Sequence, residues 1–316
     1  MISPSGDIQP DLWFFGTGTF AAECLENLSD HLLFSLVVTS PPSRGGRGLS
    51  YRPSPVEQFC TSRSLPLCSS PSVSADEKIL SLLARRPPLS ILVVDFGQKI
   101  KEPLLSTPLW GCLNIHPSLL PRYRGAAPVQ RALMEGENPT GVTLFRLTEG
   151  MDEGPILLQR SYSPEEEETA GEVLSALAQI GSELYLLGVK CMIEGTCKFT
   201  PQDSEFATNA PKISPSEGEI VWSRPAGAIV DLVRSLNPAP GAFFLMNSKR
   251  IKVWKALRAR PSGTPGTILD FHEGRPVVAA GRGSLELHSV QPEGKKRLDG
   301  ADWARGLRLK KGDVLL

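Results

Sequence analysis

The stretch LWFFGTGTFAAECLENL, residues 12–28, joins an apolar run to a helical pattern through a glycine-rich turn. Apolar runs at 33–39, 89–97 and 111–116 follow, and helical patterns such as ADEKILSLLARR at 75–86 separate them. Continuous Val, Ile and Leu runs that alternate with helices are typical of a parallel sheet buried on both faces. We therefore expect an α/β fold, a Rossmann-like doubly wound and mostly parallel sheet. Its active site should lie beyond the carboxyl ends of the strands.

The pattern changes after a long helical segment at roughly 169–194, in which Gly181 and Gly188 are candidate breaks. From this change we predict a first domain over residues 1–197, a linker over 198–210 and a second domain over 211–316.

The second domain contains short alternating strands punctuated by Gly and Pro, at 241–259, 266–292 and in the tail 305–316. One short helical pattern, AGAIVDLVRSL at 226–236, precedes them. This pattern of short strands and turns predicts a small OB-like β-barrel.

The charged residues are distributed unevenly between the two predicted domains. The whole chain has 34 Lys and Arg against 34 Asp and Glu, whereas residues 211–316 have 18 against 10, a balance of +8. A basic half is a reason to suspect a polyanionic partner. A solvated basic face explains the same charges, and charge alone leaves both interpretations open.

Composition narrows the class of protein. No stretch approaches the roughly 20 apolar residues of a membrane helix, and MISPSGDIQPDLWFFG at 1–16 has no basic region before its apolar run. We therefore expect a cytoplasmic protein without a membrane segment or a targeting signal. Six cysteines without CxxC spacing predict free thiols rather than a disulfide framework or a metal site.

The first glycine turn matches a dinucleotide-binding pattern, with Gly16, Gly18 and Ala21 placed as in G-x-G-x-x-A. That pattern requires an acidic residue about 20 positions later to hold a ribose hydroxyl. The second apolar run ends instead in Thr39 and Ser40. We therefore interpret the glycines as the tight turn of an α/β sheet.

The stretch LNIHPSLLPRYRGAAPVQ, residues 113–130, carries the chemistry that deserves most weight. Asn114 and His116 lie two apart at a strand end, so their side chains share one face. An amide donor beside an imidazole can steady an oxyanion and move a proton. Asp152, in the turn between two predicted strands at 140–159, is the candidate carboxylate that orients the ring. A capped histidine and a solvated turn acid remain the structural alternative.

At these residues the chain resembles the 10-formyltetrahydrofolate-dependent formyltransferase family, in its branch that acts on initiator methionyl-tRNA. The shared segments follow one another over nearly the whole length: FGTGTFA (15–21), SRGGRGLSYRPSPVEQF (43–59), LNIHPSLLPRYRGAAPVQ (113–130), TGVTLFRLTEGMDEGPIL (140–157), APKIS (210–214), IKVWKA (251–256), PGTI (265–268) and QPEGKK (291–296). The resemblance implies a transferase of translation initiation and one-carbon metabolism.

The resemblance also implies an activity and its catalytic residues. A formyl group would pass from 10-formyltetrahydrofolate, the co-substrate, to the α-amino group of methionine on the initiator tRNA, which supplies formylmethionyl-tRNA. Asn114, His116 and Asp152 match the family's catalytic triad. Asn114 would donate to the oxyanion, and His116, oriented by Asp152, would relay the proton without a metal.

Folate contacts are implied for two further segments. Phe96 and Gly97 match the region near the pteridine, and the loop residues Ser118, Leu119, Leu120 and Pro121 match the loop beside the folate. The chain departs from the family in VVDFGQKIKEP (93–103), where the family usually has an apolar run. Asp95 and Lys99 are the polar residues introduced there.

Contacts with tRNA are implied for a basic insertion and for the second domain. Arg44 and Arg47 lie in the insertion at 41–55, where Arg47 would work at the acceptor end. Lys212, Lys252, Lys295 and Lys296 are the candidates for phosphate contacts in the second domain. From composition alone the favoured interpretation of the insertion is a flexible surface connection. The family works as a monomer, which is the expectation for this chain.

Two other functions remain open at this point. An enzyme that formylates an amino sugar or hydrolyses formyltetrahydrofolate would share the Asn-x-His pattern and the two-domain plan. A non-catalytic RNA-binding protein on an enzyme scaffold is the alternative from another class. The Arg-rich insertion and the basic second half favour tRNA over an amino sugar.

Overall fold

The computed structural model describes residues 10–45 and 50–315. They divide into two compact units. Unit 1 contains the described residues up to Gly125 together with Gly141–Tyr162 and Leu174–Asn209, and unit 2 contains the remainder up to Leu315. The fold is mixed α/β, with a mostly parallel seven-stranded sheet in unit 1 and a separate antiparallel sheet in unit 2, which confirms the predicted class.

The strands of the first half are β1 (Leu12–Gly16), β2 (Phe34–Thr39), β3 (Ser43–Gly45), β4 (Ser50–Arg52), β5 (Leu67–Ser69), β6 (Ser90–Val94), β7 (Cys112–His116), β8 (Thr140–Arg146) and β9 (Ile156–Tyr162). The α-helices of the described residues are α1 (Thr19–Ser29), α2 (Pro55–Arg63), α3 (Glu77–Arg85), α4 (Pro128–Met134), α5 (Ala170–Glu194), α6 (Ala226–Ser235) and α7 (Gly300–Leu307).

The sheet of unit 1 has the order β5-β2-β1-β6-β7-β8-β9. The pairs from β5 to β7 are parallel, and β8 runs antiparallel to β7. β1 and β6 are buried along their whole length, as expected for central strands covered on both faces. The parallel pairing brings the carboxyl ends of β6 and β7 side by side, and the candidate site lies there.

The glycine turn after β1 has a packing explanation. A Cβ on Gly16 would lie 2.7 Å from the Cβ of Ala21, so this side chain must be absent for α1 to pack on β1. The backbone N–H groups of Thr17 and Gly18 donate to the Asp95 carbonyl at 3.1 and 3.3 Å, which ties the turn to the end of β6. This geometry is that of the tight α/β turn predicted from the sequence.

Helix α5 is continuous, so the predicted breaks at Gly181 and Gly188 are wrong. The glycines serve close packing instead. A Cβ on Gly181 would lie 2.5 Å from Ile115 Cγ2, and one on Gly188 would lie 2.8 Å from Leu144 Cδ2. The two glycines are therefore the points at which α5 approaches β7 and β8.

Replacing Gly181 with valine should lower the free energy of unfolding by about 1 to 3 kcal/mol, the usual cost of overpacking a core. The added side chain has to displace Ile115, which stands between Asn114 and His116, so activity should fall as well. Urea unfolding of this variant and of Ser175→Val, an exposed position on the same helix, gives the comparison. Equal stability of the two variants would contradict the packing argument.

Helix α5 tests the expectation that no stretch of the chain is long and apolar enough to span a membrane. It has 25 residues, and its most apolar window has a mean hydropathy of 1.3 with 44% of the window buried. Among the described residues, α5 is therefore the one helix long and apolar enough to cross a membrane. The expectation that no stretch approaches this length is wrong for α5. Buried helices of globular proteins have the same composition, and the packing of its glycines on β7 and β8 is of that kind.

Unit 2 is built around an antiparallel sheet with strands β10 (Ala242–Met246), β11 (Lys249–Ala259), β12 (Ile268–His272), β13 (Arg275–Ala279), β14 (Ser284–Pro292) and β15 (Leu298–Asp299). Its order is β10-β11-β14-β13-β12, with β15 paired to β14. The core beneath contains a chain of aromatic contacts, Trp222 with Phe244 at 5.3 Å and Phe244 with Trp303 at 6.1 Å.

The described part of the tail 305–316 differs from its prediction as strand. Residues 305–307 end helix α7 (Gly300–Leu307), and among the described residues that follow, only Val314 forms a β-bridge, to Thr267. The Asp299 carboxylate caps α7 by accepting from Ala301 N at 2.8 Å, and Trp303 and Ala304 are buried on this helix. A capping acid and buried side chains stabilise the helix into which the predicted strand runs.

The predicted linker 198–210 is structured and belongs to unit 1 up to Asn209. Thr200 exchanges two backbone hydrogen bonds of 2.8 Å with Ile156 at the start of β9. Two segments of the predicted first domain, 126–140 and 163–173, pack with unit 2 instead. The chain therefore passes between the units several times, which a linear boundary cannot express.

The basic insertion is described only in part. β3 and β4 pair as a short antiparallel hairpin in which Arg44 lies opposite Tyr51. Arg47 lies outside the described residues. The structure therefore supplies backbone geometry for one of the two predicted arginines.

Candidate active site

Asn114 and His116 stand at the carboxyl end of β7, in the interior of the sheet. Asn114 is in register with Val93 of β6 and Phe145 of β8, and His116 is in register with Thr143. Their spacing of two places both side chains on the same face. The site predicted from the sequence is therefore at a strand end of a parallel sheet, where α/β folds bind ligands.

His116 is buried, and both of its ring nitrogens face oxygen atoms. Nε2 lies 2.9 Å from the Tyr123 carbonyl, which can only accept, so Nε2 carries a proton and donates it. Nδ1 lies 3.7 Å from Asp152 Oδ2, beyond hydrogen-bond distance. The three predicted residues lie close together: the ring hydrogen-bonds to the Tyr123 carbonyl, and the Asp152 carboxylate lies within ion-pair distance of the other ring nitrogen.

Asp152 is held by contacts that the sequence did not suggest. Its Oδ2 accepts from Gly125 N at 2.8 Å, and its backbone carbonyl accepts from Gln202 Nε2 at 2.8 Å. The same Gln202 nitrogen donates to the Gly154 carbonyl, also at 2.8 Å. The backbone at Asp152 has a φ of 52°, in the left-handed region that needs such local support.

Gln202 is fixed in turn by Arg124. The Arg124 Nε and Nη2 atoms donate to Gln202 Oε1 at 3.1 and 2.8 Å, and Nη1 lies 3.5 Å from Glu153 Oε1. Arg124 is only 9% exposed, so these contacts are sheltered from solvent. Sequence reasoning missed Gln202 because it lies in the segment assigned as a linker, with no pattern of its own.

Replacing Gln202 with alanine should lower kcat by about 10-fold, up to the 10²-fold that a misplacement of about 1 Å can cost. The substitution removes both donors to the Asp152 loop and leaves the buried Arg124 without its main partner. Gln202→Glu is the matched variant, because it keeps the acceptor for Arg124 and loses the donors. Steady-state kinetics with circular dichroism would test this, and wild-type kcat in both variants would contradict it.

Asn114 presents an unused amide to the site. Among the described residues, its side chain has no hydrogen-bond partner, and Oδ1 is buried. Buried amides in folded proteins nearly always have a partner, so an orphaned one beside a histidine indicates a place where a ligand supplies it. The unpartnered Oδ1 can accept from a ligand, and Nδ2, which has no partner among the described residues either, can donate to an oxyanion.

The loop after β7 is fixed from within. Ser118 Oγ donates to the Arg122 carbonyl at 2.7 Å, and Thr143 Oγ1 donates to the Ser118 carbonyl at 2.6 Å. Gln159 Nε2 donates to the Leu120 carbonyl at 2.9 Å. Ser118 and Leu120 are therefore occupied or buried. Of the four predicted folate contacts in this loop, Leu119 and Pro121 are the half-exposed ones.

The two predicted folate contacts after β6 differ in the same way. Phe96 is buried and packs on Phe15, with ring centroids 5.5 Å apart. Gly97 is exposed, with a φ of 71°. Phe96 therefore shapes the end of β6 from inside, and Gly97 offers backbone to a ligand.

Asp95, the departure noted in the sequence, sits against the first glycine turn. A Cβ on Gly18 would overlap the Asp95 carboxylate, at 1.8 Å from Oδ2. Desolvation raises the pKa of this carboxyl to about 6. Among the described residues, no hydrogen bond or ion pair of its side chain offsets that effect.

The pKa of Asp95 predicts a pH-dependent cost to stability. The folded pKa of about 6 exceeds the ordinary 3.8, so the folded protein holds the proton more tightly, and the penalty for ionisation grows as pH rises through this window. Asp95→Asn should therefore be more stable than the wild type by about 1 kcal/mol at pH 7.5, after allowance for solvent screening of this partly exposed group.

The stability difference between Asp95→Asn and the wild type should vanish as the pH falls toward 4. Urea unfolding at pH 4.5, 6 and 7.5 measures it. A gap that is constant with pH would show that the carboxyl is not desolvated in the folded protein.

The lysines of unit 2 that were predicted to contact phosphates differ in how available their ammonium groups are. Lys212, Lys295 and Lys296 are exposed. Lys252 Nζ donates to the Pro240 carbonyl at 2.6 Å and lies over Trp254 at 5.3 Å. Desolvation and, after it, the neighbouring Arg250 lower the pKa of Lys252. This ammonium is therefore engaged by the protein, unlike those of the exposed lysines.

Within residues 10–45 and 50–315, no group of three or more His, Cys, Asp or Glu side chains is placed to hold a metal ion. The six cysteines are free thiols.

Solved structures with the same fold include three that bear on the site. Methionyl-tRNA formyltransferase from Clostridium thermocellum matches with a TM-score of 0.57 and 15% identity, over 92% of this chain and 100% of that one. The sugar 3N-formyl transferase WlaRD, with dTDP and 5-N-formyl-THF, matches at 0.64 and 17%, over 92% and 100%. HypX from Aquifex aeolicus with tetrahydrofolic acid matches at 0.64 and 16%, over 97% of this chain and 49% of HypX. At these identities the likeness concerns the fold.

Sequence relatives are more similar and extend over nearly the whole chain. Methionyl-tRNA formyltransferase of Methylobacterium sp. (strain 4-46) is 38% identical over 96% of this chain and 98% of its own length. That of Carboxydothermus hydrogenoformans is 38% identical over 95% and 98%. The formyl transferase model matches residues 12–189, and the model of the formyl transferase C-terminal domain matches residues 212–308. The chain therefore belongs to the formyl transferase family.

Proposed function

We propose that the protein transfers the formyl group of 10-formyltetrahydrofolate to the α-amino group of methionine on initiator methionyl-tRNA. The observation that carries the proposal is the convergence of Asn114, His116 and Asp152, in a chain 38% identical over 96% of its length to a methionyl-tRNA formyltransferase. The product, formylmethionyl-tRNA, would serve translation initiation.

Asn114 is proposed to stabilise the charge that develops in the reaction. The α-amino nitrogen attacks the formyl carbon, a new carbon–nitrogen bond forms, and the carbonyl oxygen becomes negative. An amide N–H of Asn114 donates to that oxygen, in a site where this amide has no competing partner among the described residues. One such donor typically lowers the activation barrier by about 3 to 4 kcal/mol.

His116 is proposed to move the proton through Nδ1. Because Nε2 donates to the Tyr123 carbonyl, Nδ1 is the nitrogen with a free lone pair in the neutral ring. It takes a proton from the attacking amine and returns it to the departing nitrogen. The imidazolium formed in between is stabilised by the Asp152 carboxylate at 3.7 Å, which tightens its contact when Nδ1 carries a proton.

The folate co-substrate supplies the activated formyl group. Leu119, Pro121 and Gly97 are the predicted contacts with surface available to hold it, while Phe96, Ser118 and Leu120 support the shape of the pocket from beneath. The Asn114 amide can accept from a ligand through the unpartnered Oδ1 and donate to a formyl oxygen through Nδ2.

The tRNA is proposed to dock on unit 2 and on the basic insertion. Residues 211–316 carry 18 basic against 10 acidic side chains, which suits phosphate contacts that position RNA without reading its sequence. On this proposal residues 1–197 are the catalytic domain, 211–316 the tRNA-binding domain, and the protein acts as a monomer in the cytoplasm.

Acceptor specificity tests the proposal. Purified protein and 10-formyltetrahydrofolate are incubated with charged initiator tRNA, with a dTDP-linked amino sugar, or without an acceptor, and formyl transfer and folate release are measured. We expect formylmethionyl-tRNA alone to form. Transfer to the sugar, folate release without an acceptor, or tRNA binding without transfer would each overturn the proposal in favour of a different function.

A further inference from the structure

Unit 2 contains a cavity of about 580 Å³ that the proposed chemistry does not use. It lies among the end of β10, the start of β11, the turn after β14 and helix α7. Its apolar lining comprises Met246, Ile251, Pro292, Leu298, Trp303 and Leu307. A volume of a few hundred Å³ with a mostly apolar wall is that of a small-molecule or side-group site.

The charged residues at this cavity are unequal in their availability. Asp302 pairs with Arg305 at 2.9 Å, and Glu293 accepts from Arg250 N at 3.2 Å. Lys249, Lys295 and Lys296 also line the cavity. Among the described residues their ammonium groups have no hydrogen-bond or ion-pair partner. The available charge around the apolar wall is therefore positive.

Trp303 adds an aromatic side chain to the cavity wall. Trp303 is only 2% exposed, and its indole N–H has no partner among the described residues. The nitrogen itself is shielded from solvent, so Trp303 contributes its apolar ring surface to the cavity wall. Nucleobases are flat rings that can pack on such a surface.

We propose that this cavity binds the base of one unpaired nucleotide of an RNA, with the flanking phosphates on Lys249, Lys295 and Lys296. The inference rests on the proposed function, since the RNA in question is the tRNA substrate. The apolar wall receives the base and the lysines receive the backbone, the combination by which proteins bind single-stranded nucleic acid.

The cavity favours an unpaired nucleotide over a duplex. A duplex presents phosphates and buries its bases in the stack, so the lysines alone would serve it and the apolar wall would remain empty. A purely apolar peptide would leave three cations uncompensated. An unpaired nucleotide matches the apolar wall and the cations together.

Gly306 allows the cavity to be filled without disturbing the protein. It lines the cavity, and a Cβ added there meets no atom within 4 Å. Gly306→Phe should occupy the space reserved for the base, while Gly306→Ala changes the helix equally and leaves the space open. Thermal unfolding checks that both variants are folded.

The first measurement is formylation of charged initiator tRNA by full-length protein. Gly306→Phe should raise KM for the tRNA by about 10-fold, as expected for the loss of one bound base, with kcat and the KM for folate unchanged. Gly306→Ala should match the wild type. Wild-type KM in Gly306→Phe overturns the inference and leaves the proposed function standing. No transfer by the wild type refutes the proposed function instead.

The second measurement uses RNA without acceptor chemistry. Fluorescence anisotropy gives the Kd of the full-length protein for a labelled single-stranded RNA hexamer and for a blunt RNA duplex. Gly306→Phe should weaken hexamer binding by about 10-fold and change duplex binding less than twofold. Equal effects on the two probes, or none, would overturn the inference.

The lysines provide a variant that does not depend on filling the cavity. The double substitution Lys295→Gln with Lys296→Gln should reduce the slope of log Kd against log salt for the hexamer by about 0.7 per lost phosphate contact. These side chains are exposed, so the fold should not be affected. An unchanged slope would remove them from the binding site and overturn the inference.

Discussion

Replacing His116 with alanine should lower kcat for formyl transfer to charged tRNA by about 10³-fold, within the 10² to 10⁴ that a positioned acid–base group contributes. The ring is the group at the site that can both take and return a proton. It is buried and held by Tyr123, so water cannot easily take its place. Affinity for tRNA should remain within twofold, because His116 is buried in unit 1 and is not one of the exposed basic side chains proposed to contact phosphates.

The measurement is single-turnover formylation, with tRNA affinity determined separately by filter binding. His31→Ala is the matched control, since this histidine is exposed beyond the end of α1. A kcat near the wild-type value in His116→Ala would remove the imidazole from the mechanism. A loss of tRNA binding equal to the loss of activity would assign it a structural role.

Replacing Asn114 with alanine should lower kcat by about 10²- to 10³-fold, the usual cost of one oxyanion donor. The stability of the variant should change little, because the wild-type amide makes no hydrogen bond among the described residues that folding would lose. A loss of activity without a loss of stability separates a catalytic asparagine from a structural one.

Asn114→Asp extends the test. It preserves the shape and removes the N–H donor, so it should be as inactive as Asn114→Ala. Kinetics and urea unfolding are measured on both variants. Activity in Asn114→Asp at the wild-type level would show that the amide N–H is not needed, and a large fall in stability of Asn114→Ala would show that the amide has a structural partner.

The resemblance to the family identified the chemistry, and the strand pattern placed it correctly. Residues Asn114 and His116 lie at the end of β7 as the alternation of apolar runs and helices predicted. The turn that carries Asp152 falls between β8 and β9, also as predicted. Local patterns were sufficient here because strand ends and turns are determined by residues close in sequence.

The same reasoning failed where contacts join distant segments. Gln202 and Arg124 are 78 residues apart in sequence, and their interaction fixes the loop of Asp152. Glycines 181 and 188 looked like helix breaks, although they are contact points with β7 and β8. A glycine in a helix carries no local sign of the strand that will approach it.

The sequence by itself determined the class of fold, the order of its strands along the chain and the basic second half, and it predicted the amide–imidazole–carboxylate set. These follow from periodicity and residue type, which act over a few residues. The tertiary structure alone decided that the Tyr123 carbonyl holds one ring nitrogen of His116, that a supposed linker supports the site, and that a lysine-rimmed cavity forms beside α7. These depend on which distant segments pack together, and burial and geometry at such contacts are set by the whole fold.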